Sequence, residues 1–291
     1  MATAAQWIEG ARPRTLPAAL APVAVGTGLA AHAASAVPVR AVLALVVAVA
    51  LQVGVNYAND YSDGIKGTDA VRVGPVRLVG QGLAPPSRVR AAAFASFGVA
   101  AVAGLAVVAL AAAWWLLPVG LASIAAAWLY TGGPRPYGYA GLGEAFVLVF
   151  FGIVPVTGTA YVQVLAVRAV DVVAGLAVGL LACAILVANN LRDIPGDSAA
   201  GKRTLAVRIG ERRTRLLYVG TLAGAGLATV AVGLMSTPLA FAALLALLLG
   251  IPAGRTVMSG ARGPDLIAVL KQTGVLLLAY GLALGTLLAV G

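Results

Sequence analysis

Asn56-Tyr-Ala-Asn59-Asp60-Tyr-Ser-Asp63-Gly-Ile-Lys66-Gly-Thr-Asp69 closes one long apolar stretch of this chain. A second polar segment, Asn189-Asn190-Leu-Arg-Asp193-Ile-Pro-Gly-Asp197, closes another and runs into Gly201-Lys202-Arg203-Thr204. Together they hold five of the ten acidic residues. Ionised carboxylates at the end of an apolar run are costly unless a cation or a polar cavity compensates them. The placement of both segments therefore asks for a functional explanation, and the apolar runs that carry them decide the fold.

Of 291 residues, 61% are hydrophobic and 10% charged, with a mean hydropathy of +0.97. Soluble domains carry about 25% charged residues, so the composition excludes a water-soluble globule and gives an all-α integral membrane protein. The runs are too evenly spread for a signal peptide ahead of a soluble domain, and the N-terminus, with Glu9, Arg12 and Arg14, lacks a cleavable apolar region. Windows of about 20 apolar residues, enough to cross the hydrocarbon as a helix, fall at 15–33, 39–60, 91–113, 114–131, 142–165, 170–192, 215–235, 237–254 and 266–290. The expectation is nine transmembrane helices around a central cavity, the third and fourth meeting in a tight turn at Trp114-Trp115.

With the N-terminus cytoplasmic and the C-terminus outside, 18 of the 20 Lys and Arg residues fall on the cytoplasmic side, leaving only Arg40 and Arg168 outside. The net charge of +10 thus reads as topology and affinity for anionic lipid, with no nucleic-acid surface. Arg outnumbers Lys 17 to 3 amid abundant Ala, Val and Gly, the signature of a GC-rich bacterial genome, which places the chain in a bacterial cytoplasmic membrane. No linker divides it, so residues 1–291 read as one domain. Cys183 lies within a span and reads as a buried structural thiol; a single histidine, His32, expected in the first external loop, cannot build a zinc site.

On a helix Asn56, Asp60 and Asp63 stand at i, i+4 and i+7, so their oxygens share one stripe. Asn189, Asp193 and Asp197 stand at i, i+4 and i+8, with Pro195 and Gly196 marking an expected helix end. The repeated Asn, Asp, Asp order suggests a duplication. One such cluster alone would read equally well as a capped, solvated helix terminus. Two on one membrane face, each beside cations suited to phosphate (Lys66, Arg72 and Arg77; Lys202 and Arg203), point to an oxygen-ligand site for Mg²⁺ completed by substrate phosphate.

This pair of acidic segments in a nine-span chain resembles the UbiA superfamily of intramembrane aromatic prenyltransferases. Further stretches resemble its 1,4-dihydroxy-2-naphthoate polyprenyltransferase branch: Trp7-Ile-Glu-Gly-Ala-Arg-Pro-Arg-Thr-Leu-Pro17, Gly74-Pro-Val-Arg77-Leu-Val, Tyr130 through Pro134-Arg-Pro-Tyr137-Gly-Tyr139 to Glu144, and Asn190-Leu-Arg-Asp193 through Gly201-Lys-Arg-Thr-Leu-Ala-Val. The similarity covers residue 7 to about 210 and thins to general hydrophobicity in the last three helices.

The resemblance implies Asp60, Asp63, Asp193 and Asp197 as Mg²⁺ ligands, supported by Asn56, Asn59, Asn189 and Asn190, with Lys66, Arg72, Arg77, Lys202 and Arg203 on the diphosphate. Asp69 lies off the helix stripe and is assigned to a loop over the site. Tyr57, Tyr61, Tyr130, Tyr137 and Tyr139 are candidates to face an allylic cation, or equally interfacial anchors; Arg135 is a candidate for the acceptor's carboxylate or a topology signal, and Glu144 for a ring hydroxyl. The implied reaction moves a polyprenyl group from its diphosphate to 1,4-dihydroxy-2-naphthoate, with loss of carbon dioxide and pyrophosphate, in menaquinone synthesis at the cytoplasmic side. Prenyl transfer to 4-hydroxybenzoate, homogentisate, a tetrapyrrole or a sugar phosphate is the neighbouring alternative. A cation-coupled transporter is the alternative from another class.

Overall fold

A computed structural model describes residues 2–67 and 76–291; Asp69 and Arg72 lie outside the described residues. The chain is helical throughout, with no strand among the described residues. Short α1 (Ala4–Gly10) leads through a bend into α2 (Pro17–His32), then α3 (Pro38–Ile65), α4 (Pro86–Ala111), α5 (Leu117–Leu129), α6 (Gly143–Val164), α7 (Ala169–Ala199), α8 (Leu205–Met235), α9 (Pro238–Met258) and α10 (Asp265–Val290). All nine expected apolar windows form helix. Among the described residues, seven of the helices are long and apolar enough to span a membrane, and the α1–α2 pair, bent by 49°, makes an eighth. The stretch Trp114–Leu129, which contains α5, is a shorter apolar helix.

The expected tight turn at Trp114-Trp115 is built by Ala112 in the left-handed region (φ 52°) and a single 3-10 turn over Trp114–Leu116. Three expectations are corrected. Helix α7 does not stop at Pro195 but continues to Ala199. The ring costs one intrahelical bond close to the end, and the last turn closes in a Schellman motif: Lys202 N–H donates to the Asp197 carbonyl (2.8 Å) and Gly201 N–H to the Ser198 carbonyl (3.1 Å), with Gly201 at φ +71°. Helix α8 begins at Leu205, ten residues before the apolar window, where Thr204 accepts from Val207 N–H as N-cap, and it kinks at Gly210 (φ 79°). His32 likewise belongs to the last turn of α2 rather than to a loop.

Side chains such as Val102 (72% exposed), Leu227 (73%) and Leu234 (77%) point outward. Large apolar faces of this kind have no place in water, and together with the spans they make this a multi-span membrane protein. Inside, small residues let backbones touch. A Cβ on Gly28 of α2 would lie 2.1 Å from the Gly285 carbonyl oxygen of α10, and one on Gly152 of α6 would lie 2.3 Å from Gly179 Cα of α7. Helices α8 and α10 are joined by buried Tyr218–Thr273 and Tyr280–Thr229 hydroxyl pairs, each 2.7 Å.

The two cations placed on the opposite face from the rest have a physical reason to be there. Arg40 donates to the carbonyls of Leu110 (2.6 Å) and Val162 (2.9 Å), near the C-termini of α4 and α6, and Arg168 donates to Leu29 near the end of α2 (3.1 Å). Both donate to carbonyls in the last turns of helices and complement the negative pole of the helix dipole. The C-termini of α3 and α7 lie at the other end of the bundle, and with them both acidic segments.

Candidate active site

A cavity of about 1230 Å³ runs between helices α1 to α7 and α10. The wall contributed by the C-terminal third of α3 and the end of α7 is polar (Asn56, Asn59, Asp63, Asn189, Asn190, Asp197), joined by Arg77, Arg192 and Lys202. The wall from α4, α5 and α6 is apolar, with Leu105, Val108, Leu121 and Phe150 among its residues. This division follows the helical stripes: on α3 the residues at 52, 56, 59 and 63 share one face, so one helix delivers four polar groups to one side.

The two acidic segments meet directly. Lys202, placed by the Schellman turn, brings Nζ to 3.3 Å from Asp63 Oδ1, with the side chains 7% and 4% exposed. The Tyr139 hydroxyl donates to the same carboxylate oxygen, and its ring lies under Lys202 Nζ (4.5 Å) and Lys66 Nζ (5.0 Å). Lys66 also donates to the Thr131 carbonyl (2.7 Å), and burial holds its ammonium below the ordinary lysine range. Thr131 in turn donates to Asn59 Oδ1 (2.8 Å). Asp63, Tyr139, Lys202 and Lys66 thus form one charged knot across the ends of α3 and α7.

Other expected ligands are occupied differently. Asp60, fully buried, accepts backbone N–H bonds from Leu78 (2.7 Å) and Val79 (3.1 Å), so it ties down the segment that carries Arg77. Asp193 is gripped bidentately by Arg192, Nε at 2.7 Å and Nη2 at 2.8 Å, while Arg192 also donates to Asn189 Oδ1 (2.8 Å). Arg192, read from the sequence as a topology signal alone, therefore belongs to the site; a cation adjacent in sequence to an acid gave no sign of it. Asn56 spends both amide donors on the Ala11 carbonyl (2.8 Å) and the Thr15 hydroxyl (2.9 Å), fastening α3 to the α1–α2 bend. Asp197 is buried on the cavity wall.

Among the aromatic candidates, Tyr130, Tyr137 and Tyr139 line the cavity. Tyr137 stacks on Phe146 (3.9 Å between centroids), and its hydroxyl donates to the Ala126 carbonyl (2.8 Å) while burial raises its pKa. Tyr57 instead packs on Trp7 and donates to its carbonyl (2.9 Å), and Tyr61 stacks on Trp128; neither reaches the cavity wall. Arg135 and Arg203 are exposed and stand outside the cavity, so the structure does not bring either to the position expected for it. Arg203 helps through its backbone, donating N–H to the Tyr139 carbonyl (3.0 Å). Glu144, in the first turn of α6, accepts from Asn190 Nδ2 (2.9 Å) behind the wall rather than on it.

The oxygen donors on the polar wall, with no His or Cys among them, suit a hard divalent cation. Among the described residues no three carboxylate, His or Cys side chains gather into a protein cage. The set fits an ion that keeps waters and shares phosphate oxygens, and does not fit a closed structural metal site.

Residues 19–265 match the UbiA prenyltransferase family. The chain belongs to that family. It is 56% identical over 291 residues to the 1,4-dihydroxy-2-naphthoate octaprenyltransferase of Mycobacterium tuberculosis, covering 100% of this chain and 99% of that protein. The Escherichia coli protein of the same name is 43% identical over 225 residues, covering 75% and 73%. In fold, this UbiA chain is similar to a UbiA homolog from Archaeoglobus fulgidus bound to GPP and Mg²⁺, with a TM-score of 0.68 at 17% identity and coverage of 97% and 99%. A UbiA homolog from Aeropyrum pernix gives a TM-score of 0.69 at 16% identity, covering 94% and 97%.

Proposed function

We propose that this chain transfers a polyprenyl group from its diphosphate to 1,4-dihydroxy-2-naphthoate, releasing carbon dioxide and pyrophosphate and yielding demethylmenaquinol for menaquinone synthesis. The observation that carries the reading is the cavity itself: Asp63 and Asp197 line one polar wall, Lys202 joins the ends of α3 and α7, and an apolar wall runs alongside. Whole-length identity of 56% to a relative of that name supports the acceptor, and the structural relative bound to GPP and Mg²⁺ supports the donor class and the ion.

Asp63 and Asp197, with Asn59, Asn189 and Asn190, would hold Mg²⁺; Asp60 and Asp193 support the site by fixing the Arg77 segment and Arg192. Bound there, the ion supplies charge neutralisation for the leaving diphosphate. From the protein side Lys202, Arg192 and Arg77 do the same as the C–O bond breaks and its electron pair goes to the diphosphate oxygen. The allylic cation left behind faces Tyr130, Tyr137 and Tyr139, and the electron-rich ring attacks it through carbon as the ring carboxylate departs as carbon dioxide. The apolar wall takes the polyprenyl tail and keeps water from the cation.

The nine apolar helices then cross the membrane with the N-terminus cytoplasmic, the C-terminus outside and the site on the cytoplasmic side of a bacterial membrane, the arrangement supported by the distribution of Lys and Arg. The test is purified protein with Mg²⁺, a polyprenyl diphosphate and a panel of aromatic acids, read by product mass. Prenylated, decarboxylated naphthalenediol, lost on chelation, is the expected product. Turnover of 4-hydroxybenzoate with none of the naphthoate would overturn the acceptor.

A further inference from the structure

With Arg135 outside the cavity, the acceptor's carboxylate needs another partner. The cations on the cavity wall fall into two sets. Arg77, Arg192 and Lys202 stand with the acidic segments; Arg12 and Arg14 come from the α1–α2 bend and Lys271 from α10. The last three lie outside residues 19–265, which match the family, and inside the whole-length match to the naphthoate-named relative.

The bend is a built structure. Arg12 sits in the left-handed region (φ 54°), a conformation that is unfavourable for a non-glycine residue and persists only where surroundings fix it. Its carbonyl accepts both the N–H and the hydroxyl of Thr15, each at 2.9 Å. The Thr15 hydroxyl then accepts from Gln52 Nε2 and Asn56 Nδ2 of α3, again at 2.9 Å each. On the other side the Arg14 carbonyl lies 3.5 Å from where a Cβ on Gly274 would sit, so the bend rests on α10 one turn from Lys271. Gln52 is 5% exposed, lines the cavity, and leaves Oε1 buried without a hydrogen-bond partner. A buried carbonyl oxygen left in that state is costly unless a ligand supplies a donor.

We propose that the α1–α2 bend is the acceptor subsite: Arg12, Arg14 and Lys271 take the carboxylate of an aromatic ortho-hydroxy acid, and Gln52 Oε1 accepts its ring hydroxyl. The assignment rests on the acceptor reading above and adds the residues that select it. Glu9 on the wall and buried Asp60, on which the Arg12 charge also acts, set two carboxylates against the three cations, and the excess of one positive charge suits one anionic ligand. Gln52, one turn before Asn56 on α3, places that ligand beside the polar wall where the diphosphate is handled.

The test uses full-length protein in detergent and two unreactive probes, 1-hydroxy-2-naphthoate and 1-naphthol, which differ by the carboxylate. Wild type is expected to bind the acid more tightly. R12Q, R14Q and K271Q should each weaken the acid by about tenfold to a hundredfold, the range for a lost charge-assisted bond, and leave 1-naphthol within about twofold, so 1-naphthol binding also reports folding. K271Q leaves the bend's hydrogen bonds untouched and decides the case if the arginine variants fail to fold. A wild-type preference for the acid retained in K271Q, or no preference in wild type, overturns the subsite. Failure of wild type to prenylate 1,4-dihydroxy-2-naphthoate is a separate outcome that removes the acceptor reading instead.

Discussion

Replacing Lys202 with Met removes the cation that joins the two helix ends while keeping the volume of the side chain. At 3.3 Å and an effective dielectric of about 20, the gross attraction between Lys202 and Asp63 is about 5 kcal/mol. Desolvation offsets much of that, yet deleting one partner of a buried pair costs about 3–5 kcal/mol because the other charge stays behind. Asp63 keeps the Tyr139 hydroxyl, which sets the expectation at the lower end, about 3 kcal/mol. For a chain of this size that corresponds to a fall in Tm of roughly 6–10 °C in detergent. Loss of a positive group at the developing pyrophosphate should also lower kcat/KM for the prenyl diphosphate about 10²–10³-fold. K202R, which keeps the charge, should recover most of the thermal stability. A K202M protein with wild-type turnover would refute the catalytic role, and one with wild-type Tm would refute the electrostatic latch.

Asp60→Asn should loosen the Leu78–Val79 anchor at a cost of about 1–3 kcal/mol, read as faster amide exchange at those two residues and a raised KM for the diphosphate through the neighbouring Arg77. Arg192→Met leaves the Asp193 carboxylate without its bidentate partner and should destabilise by about 3 kcal/mol, visible as a lowered Tm with activity lost in parallel. Gly28→Ala drives a methyl into the Gly285 backbone and should give little folded protein, measured by gel filtration of detergent extracts. Arg203→Ala should leave kcat/KM within about twofold, since surface substitutions away from such features change little, which steady-state assay checks directly.

Much of the fold was legible because lipid enforces a simple rule: each apolar window near 20 residues became helix, and the Lys and Arg pattern marked which ends carry the site. The polar stripe of α3 was legible only in part: Asn56 and Asp63 share the cavity face as expected, but Asp60, expected beside them, turns to the Leu78 and Val79 N–H groups and Asn59 takes the place on the wall. What hid was everything set by tertiary contact. Pro195 reads locally as a terminator, and only the Schellman closure at Gly201 shows that α7 runs past it and aims Lys202 at Asp63. Arg135 and Arg203 have the right charge beside the right motifs, but loop geometry turns both outward. Arg192 and Arg12 sat in plain view among topology-setting cations, and their places on the cavity wall follow from packing that no local spacing encodes.

The central claim is that the ends of α3 and α7 grip one diphosphate together. Its most direct measurement is a double-mutant cycle on binding of an unreactive prenyl thiolodiphosphate with Mg²⁺, using Asp63→Asn, Asp197→Asn and the pair, followed by calorimetry. Each single variant should lose most of the affinity and the double variant little more, a coupling of about 1 kcal/mol or greater between residues on different helices. Strictly additive losses, or wild-type affinity in either single variant, would contradict the account.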